Sequence, residues 1–225
     1  MIGTVNTRDV ADHARLAQST WASGRLGLLD QFTHATEGLL GEIAEVQAIL
    51  AHARQYDLEL DRRVADLQTE LGDVYYYLLI ATDLAGATLV DLAAMLFATL
   101  PEIPIYLTDG RTTWQTHQAL AVYLDTATAL IPGEYDRLGY LALAMGAEAG
   151  KALGMVTKAR FKRNHAIDQA AYLAHLAQVY HYLLLFADQF ELELADLGER
   201  VFGKLAGGHG WTDGRQGARR QGGGL

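Results

Sequence analysis

Glu42-Ile43-Ala44-Glu45 and Glu70-Leu71-Gly72-Asp73 set two acidic pairs, each spaced three apart, inside apolar helix-forming runs. Three residues along an α-helix turn about 300° and rise about 4.5 Å, so both carboxylates of a pair share one face. The chain between Glu45 and Glu70 is long enough for a helix to finish, turn and return antiparallel, which sets the second pair opposite the first. Four carboxylates converging in this way repel one another unless a cation lies among them. An all-oxygen ligand set suits a hard divalent cation, Mg²⁺ first and Mn²⁺ second. Such a site attracts a polyphosphate, because the metal reverses the local charge, bridges phosphate oxygens and orients an attacking water. A carboxylate not fully used in ligation takes the proton of that water; Glu45 is the first choice and Glu42 the alternative.

Solvated acids on amphipathic helices are the competing explanation, since most helical charges are that. It is weakened here because Val46 and Ile49 follow Glu45, and Val74 and three tyrosines follow Asp73. A diiron bundle would need Glu-x-x-His pairs, and no glutamate in this chain has a histidine three residues later. Glu193-Leu194-Ala195-Asp196 repeats the spacing, but at the start of a short helix, where acids complement the dipole.

The rest of the chain bounds the chemistry. It has 225 residues, 50% hydrophobic and 20% charged, with 3 prolines, which fits one or two compact domains. A formal charge of −9 argues against nucleic acid as a partner. With no cysteine there is no disulfide framework, thiolate metal site or cysteine nucleophile, and a cytoplasmic location is expected. The N-terminal residues lack the basic start and apolar stretch of a signal peptide. The most apolar window, 74–100, is interrupted by Asp83 and Asp91, so no membrane span is expected.

Apolar residues recur at helical spacing almost throughout, which predicts helices over roughly 7–23, 31–55, 58–84, 88–100, 112–130, 134–163, 167–188 and 192–205. Thr7, Asp30, Thr88 and Asp168 are the expected N-caps. Pro101, Pro104 and Asp109-Gly110 mark 101–111 as a linker, and the glycine-rich stretch 207–225 is expected to be mobile. An internal repeat spans the linker: residues 69–92 line up with 174–197 through a shared Val-Tyr-x-Tyr-Leu-Leu and a closing Asp-Leu. Upstream, Glu42 aligns with Glu148 once one residue is deleted. Glu45, Glu70 and Asp73 then become Lys151, His175 and Gln178. The packing pattern recurs, the ligand set does not, and duplication followed by loss of one site is the simplest reading.

These residues resemble a family. Glu42-x-x-Glu45 within GLLGEIAEV and Glu70-x-x-Asp73 within ELGDVYYYLLIATDLAG look like the all-α nucleoside triphosphate pyrophosphohydrolases, which include MazG-like proteins and dimeric dUTPases. The resemblance covers roughly residues 30–100, and the second copy resembles the same family without its acids. It implies an all-α fold of two tandem four-helix units packed as a pseudo-dimer: 1–100 with the metal site, 112–206 degenerate. It also implies Mg²⁺ held by Glu42, Glu45, Glu70 and Asp73, and hydrolysis of a nucleoside triphosphate to monophosphate and pyrophosphate. Such units often carry a lysine after the ExxE helix, which Lys158 resembles, and another late, which Lys204 resembles. With Lys162 and Arg163 they suggest a phosphate clamp lent by the second copy. Gln31, His34 and Tyr77 are candidates for contacts to base or ribose, with Trp21 as a stacking partner. A monomeric pseudo-dimer and a homodimer both fit this plan. A nucleotide-binding or regulatory protein that has lost turnover is the alternative to an enzyme, and a helical module without ligand is a third.

Overall fold

Long runs of leucine, alanine and valine with polar residues at helical intervals leave no segment with strand-like alternation. The computed structural model describes residues 10–98, 100, 108–126, 128–162 and 165–206, and among these it is all-α, with no strand. Eight α-helices follow in order: α1 (Val10–Thr20), α2 (Leu28–Gln55), α3 (Val64–Leu84), α4 (Leu89–Phe97), α5 (Thr113–Leu124), α6 (Glu134–Phe161), α7 (Gln169–Asp188) and α8 (Leu194–Ala206). Expectations for Thr7, for most of the linker and for the stretch 207–225 fall outside the described residues.

Local chemistry sets the helix starts. Thr88 opens α4 with a reciprocal capping box to Asp91, and Thr112 does the same for α5 with Gln115. The Asp168 carboxylate accepts the Ala171 N–H at 3.1 Å to start α7. Asp30 is a different case. It lies within the first turn of α2, whose N-cap is Gly27, and there it pairs with Arg160 at 3.0 Å. A carboxylate in a first turn meets the positive end of the dipole without being the cap. Helix α3 starts at Val64, later than its apolar pattern suggests, because a 3₁₀ turn over Leu60–Arg62 takes up the preceding residues. Helix α5 stops at Leu124, where the Asp125 carboxylate accepts the Thr128 N–H at 3.0 Å and folds the chain into a turn.

The two 28-residue helices, α2 and α6, run antiparallel along each other. Arg160 pairs with Asp30 at one end, the Gln47 side chain donates to the Ala142 carbonyl at 2.9 Å near the middle, and Arg54 pairs with Asp136 at the other end. Helix α3 packs on α2 and α7 on α6. Then the chain crosses over: α8 lies on α3, and α4 lies on α7. Helices α1 and α5 complete the arrangement against α3 and α7, where His13 Nδ1 lies 2.9 Å from the Tyr75 hydroxyl and His117 Nδ1 lies 3.1 Å from that of Tyr180. One buried cluster runs from Leu39 and Ile43 through Leu71, Tyr75 and Leu78 to Met145, Leu176 and Tyr180. Among the described residues no single helix is long and apolar enough to cross a membrane; α3 and α4 reach that composition only as a pair bent by 89°.

Candidate metal centre

Ile43 and Val46 pull one face of α2 into the core, and Leu67, Leu71 and Val74 do the same for α3. Glu42 and Glu70 are thereby left half-buried at the seam, and Asp73 is carried further in, at 7% exposure. Gly38 lets the two helices approach: a Cβ there would lie 2.2 Å from the Tyr77 ring, which crosses α2 at that point. Glu42, Glu70 and Asp73 each offer a carboxylate oxygen, and these oxygens all lie within 4.8 Å of one another.

A cation from the far end of the chain enters this cluster. Lys204, in the last turn of α8, places its ammonium 2.9 Å from Asp73 Oδ2. The electrostatics are those of an under-compensated acidic site. Burial pushes the Glu42 carboxyl up to about 7, with the charges of Asp73 and Glu70 adding to it and Lys204 partly offsetting it. Glu70 is raised by burial and then by Asp73. Burial alone would lower the Lys204 ammonium, but its hydrogen bond to Asp73 and the surrounding carboxylates outweigh that and raise it.

The other expected site residues are placed differently. Glu45 is exposed and stands outside the group of three oxygens, though its charge acts on both Glu42 and Glu70. Tyr77, His34 and Lys204 line a cleft of about 60 Å³ beside Asp73, together with Trp21, Ser23 and Tyr76. Trp21 and His34 lie ring against ring, 4.9 Å between centroids, and His34 Nδ1 is hydrogen-bonded to the Ser23 hydroxyl. Gln31 turns elsewhere, donating to the Leu26 carbonyl at 2.9 Å. Lys158 and Lys162 are exposed at the C-terminal end of α6. The α2–α6 register sets Glu42 opposite the middle of α6, so Lys158 lies about 15 Å further along the helix. Arg163 falls outside the described residues. Ser23 was not expected; its partner His34 is eleven residues away, across the start of α2, so no helical spacing links the two.

Between α6 and α7 a half-buried acid has the opposite solution. Glu148 is held by Lys151 at 2.7 Å and by His175 Nδ1 at 2.7 Å. Burial would raise its carboxyl, but those two hydrogen bonds win and lower it.

No family model, curated protein or solved structure matches this chain. Assignment of the cluster therefore rests on its chemistry. Around a Mg²⁺ ion with bonds of about 2.0–2.1 Å, neighbouring oxygens stand about 3 Å apart and opposite ones about 4 Å. Oxygens already within 4.8 Å of one another need only side-chain adjustments to reach that shell. The donors are hard carboxylate oxygens, and their mutual repulsion is relieved by added positive charge. A divalent cation of the Mg²⁺ or Mn²⁺ type fits these residues.

Proposed function

We propose that this protein is a Mg²⁺-dependent nucleotide pyrophosphohydrolase, cleaving a nucleoside triphosphate to its monophosphate and pyrophosphate, with one working site per chain. The observation that carries the reading is the convergence of Glu42, Glu70 and Asp73 on a point reached by Lys204. Paired carboxylates on two antiparallel helices match the family resemblance in the sequence, and a nearby lysine is what an incoming phosphate requires.

In this reading Asp73, Glu70 and Glu42 hold the metal. When bound, Mg²⁺ supplies charge for the phosphate oxygens and a position for the attacking water. Glu45, exposed and outside the three, accepts the proton of that water. Lys204 turns from Asp73 to a phosphate oxygen. Trp21, His34 and Tyr77 present ring faces for the base. The cleft is far smaller than the roughly 300–1,000 Å³ of a small-molecule pocket, so nucleotide entry requires the end of α8 and the turn at Ala22–Arg25 to draw apart. The crossing of α8 onto α3 and of α4 onto α7, with the twice-occurring histidine–tyrosine bond, supports a duplicated chain folded as a pseudo-dimer.

A pyrophosphate-release screen over ribo- and deoxynucleoside triphosphates, with Mg²⁺ and with Mn²⁺, tests the proposal. Release with at least one nucleotide, lost in Glu70→Gln, is the expected result. Nucleotide binding with no product from any of them would instead make the chain a nucleotide-binding protein.

A further inference from the structure

We propose that Lys204 is a displaceable internal counter-ion: its ammonium holds Asp73 in the metal-free protein, yields that carboxylate to the divalent cation, and then serves phosphate oxygens that arrive with the metal. This deepens the metal-site reading given above and rests on it.

Asp73 is the most buried of the three acids, and Lys204 is its salt-bridge partner. The sequence places no lysine or arginine anywhere from Val64 to Ile105, so α3 and α4 bring no cation of their own. An ammonium 2.9 Å from Asp73 Oδ2 and a divalent ion bound through the same carboxylate would repel strongly at that range. One must give way, and the ammonium is the one on a flexible four-carbon stem. Its side chain is 41% exposed, whereas Val201 and Phe202, each 3% exposed, keep α8 seated. The lysine can therefore swing without the helix leaving.

The contrast with the second half is instructive. There the partners holding Glu148 belong to the two helices of that seam, Lys151 to α6 with the acid itself and His175 to α7. In the first half the cation comes from the last turn of a different element and lines the cleft next to Trp21 and Tyr77. It is placed to leave the carboxylate and to meet an anion there. The order of binding follows: metal first, polyphosphate second.

The experiment is calorimetric titration of Mg²⁺ at pH 8, then of inorganic pyrophosphate with Mg²⁺ saturating, into the wild type, Lys204→Met and Lys204→Arg. Lys204→Met should bind Mg²⁺ about three- to tenfold more tightly, because a competing charge is gone, and should bind pyrophosphate at least about tenfold more weakly. Lys204→Arg should stay near the wild type in both. A lysine that merely braced α8 would, when removed, loosen the metal site and never tighten it. Wild-type Mg²⁺ binding with equal or weaker binding by Lys204→Met overturns this proposal alone. No Mg²⁺ binding by the wild type overturns the metal reading and the proposal with it. If circular dichroism shows Lys204→Met unfolded, acylation of the Lys204 amine in the wild type, followed by mass spectrometry, answers the same question. Mg²⁺ should speed labelling of Lys204 as its ammonium leaves Asp73, and unchanged or slower labelling rejects the idea.

Discussion

At the scale of single residues, Glu42 carries the most informative electrostatics. Its carboxyl ionises at about 7 in the fold, against its ordinary 4.5, chiefly because it is buried and secondarily because Asp73 lies beside it. Between those two values the native state holds a proton that the unfolded chain has released, so stability falls as pH rises through that window and levels off above about 7. His117 works in the other direction: burial lowers it to about 4, so below its ordinary 6.5 the unfolded chain gains a proton that the fold refuses. The two slopes oppose each other over the same range, and the wild-type profile alone would conceal both. The difference between wild type and Glu42→Gln isolates the glutamate. In metal-free protein the variant should match the wild type near pH 4.5 and exceed it above pH 7, by on the order of 1–2 kcal/mol after solvent screening, as read by urea denaturation. A second contrast separates ligation from proton transfer. Glu70→Gln and Asp73→Asn should lose both turnover and the rise in Tm that Mg²⁺ gives the wild type. Glu45→Gln should keep the Mg²⁺-dependent rise and lose turnover by about 10²–10⁴-fold. Loss of the thermal response in Glu45→Gln would place it among the ligands.

At the scale of helices, the close approach of α2 and α3 depends on Gly38, whose missing side chain leaves room for the Tyr77 ring. Gly38→Ala should cost about 1–3 kcal/mol, seen as a lower Tm, and should also weaken Mg²⁺ binding, since widening the seam separates Glu42 from Asp73. Gly198 plays the same part between α8 and α1, where an added Cβ would lie 2.0 Å from the His13 ring. What the sequence revealed and concealed follows from the range of each interaction. The caps at Thr88 and Asp168 were legible because a cap is made with residues three positions away. The acidic pairs were legible because helical spacing alone aligns each of them. Asp30 misled because a first-turn acid and an N-cap look alike until the partner, Arg160, is known. Lys158, from the family resemblance, and Lys162, from its charge, read as a phosphate clamp; the α2–α6 register that carries them away from Glu42 is a tertiary fact without a local signature. Lys204 was noticed as a late lysine, but that it reaches Asp73, across α8 packed on α3, could come only from the fold.

At the scale of the whole molecule, the halves are interlocked, because the first acidic cluster takes its cation from α8, the last helix among the described residues. Both clusters solve one physical problem, a half-buried acid at the seam of two antiparallel helices. A buried carboxylate must be neutralised by a proton, a fixed cation or a metal. The first cluster has more acids than Lys204 can balance, and Glu42, raised chiefly by burial and then by Asp73 and Glu70, ionises only at about 7. The second has one acid hydrogen-bonded by Lys151 and His175, and those bonds hold the Glu148 carboxyl below its ordinary range. Under the proposed duplication, the difference between a metal site and a structural ion cluster comes down to three side chains, and reversing them should restore the demand for metal. The triple variant Lys151→Glu, His175→Glu, Gln178→Asp should fold poorly without divalent ions, as unpaired carboxylates gather at the α6–α7 seam. Mg²⁺ should recover its stability, and calorimetric titration should then count two ions per chain where the wild type takes one. If the variant stays destabilised at millimolar Mg²⁺ and still titrates to one ion, the α6–α7 seam lacks the geometry of the α2–α3 seam, and the case for two equivalent halves fails at its most specific point.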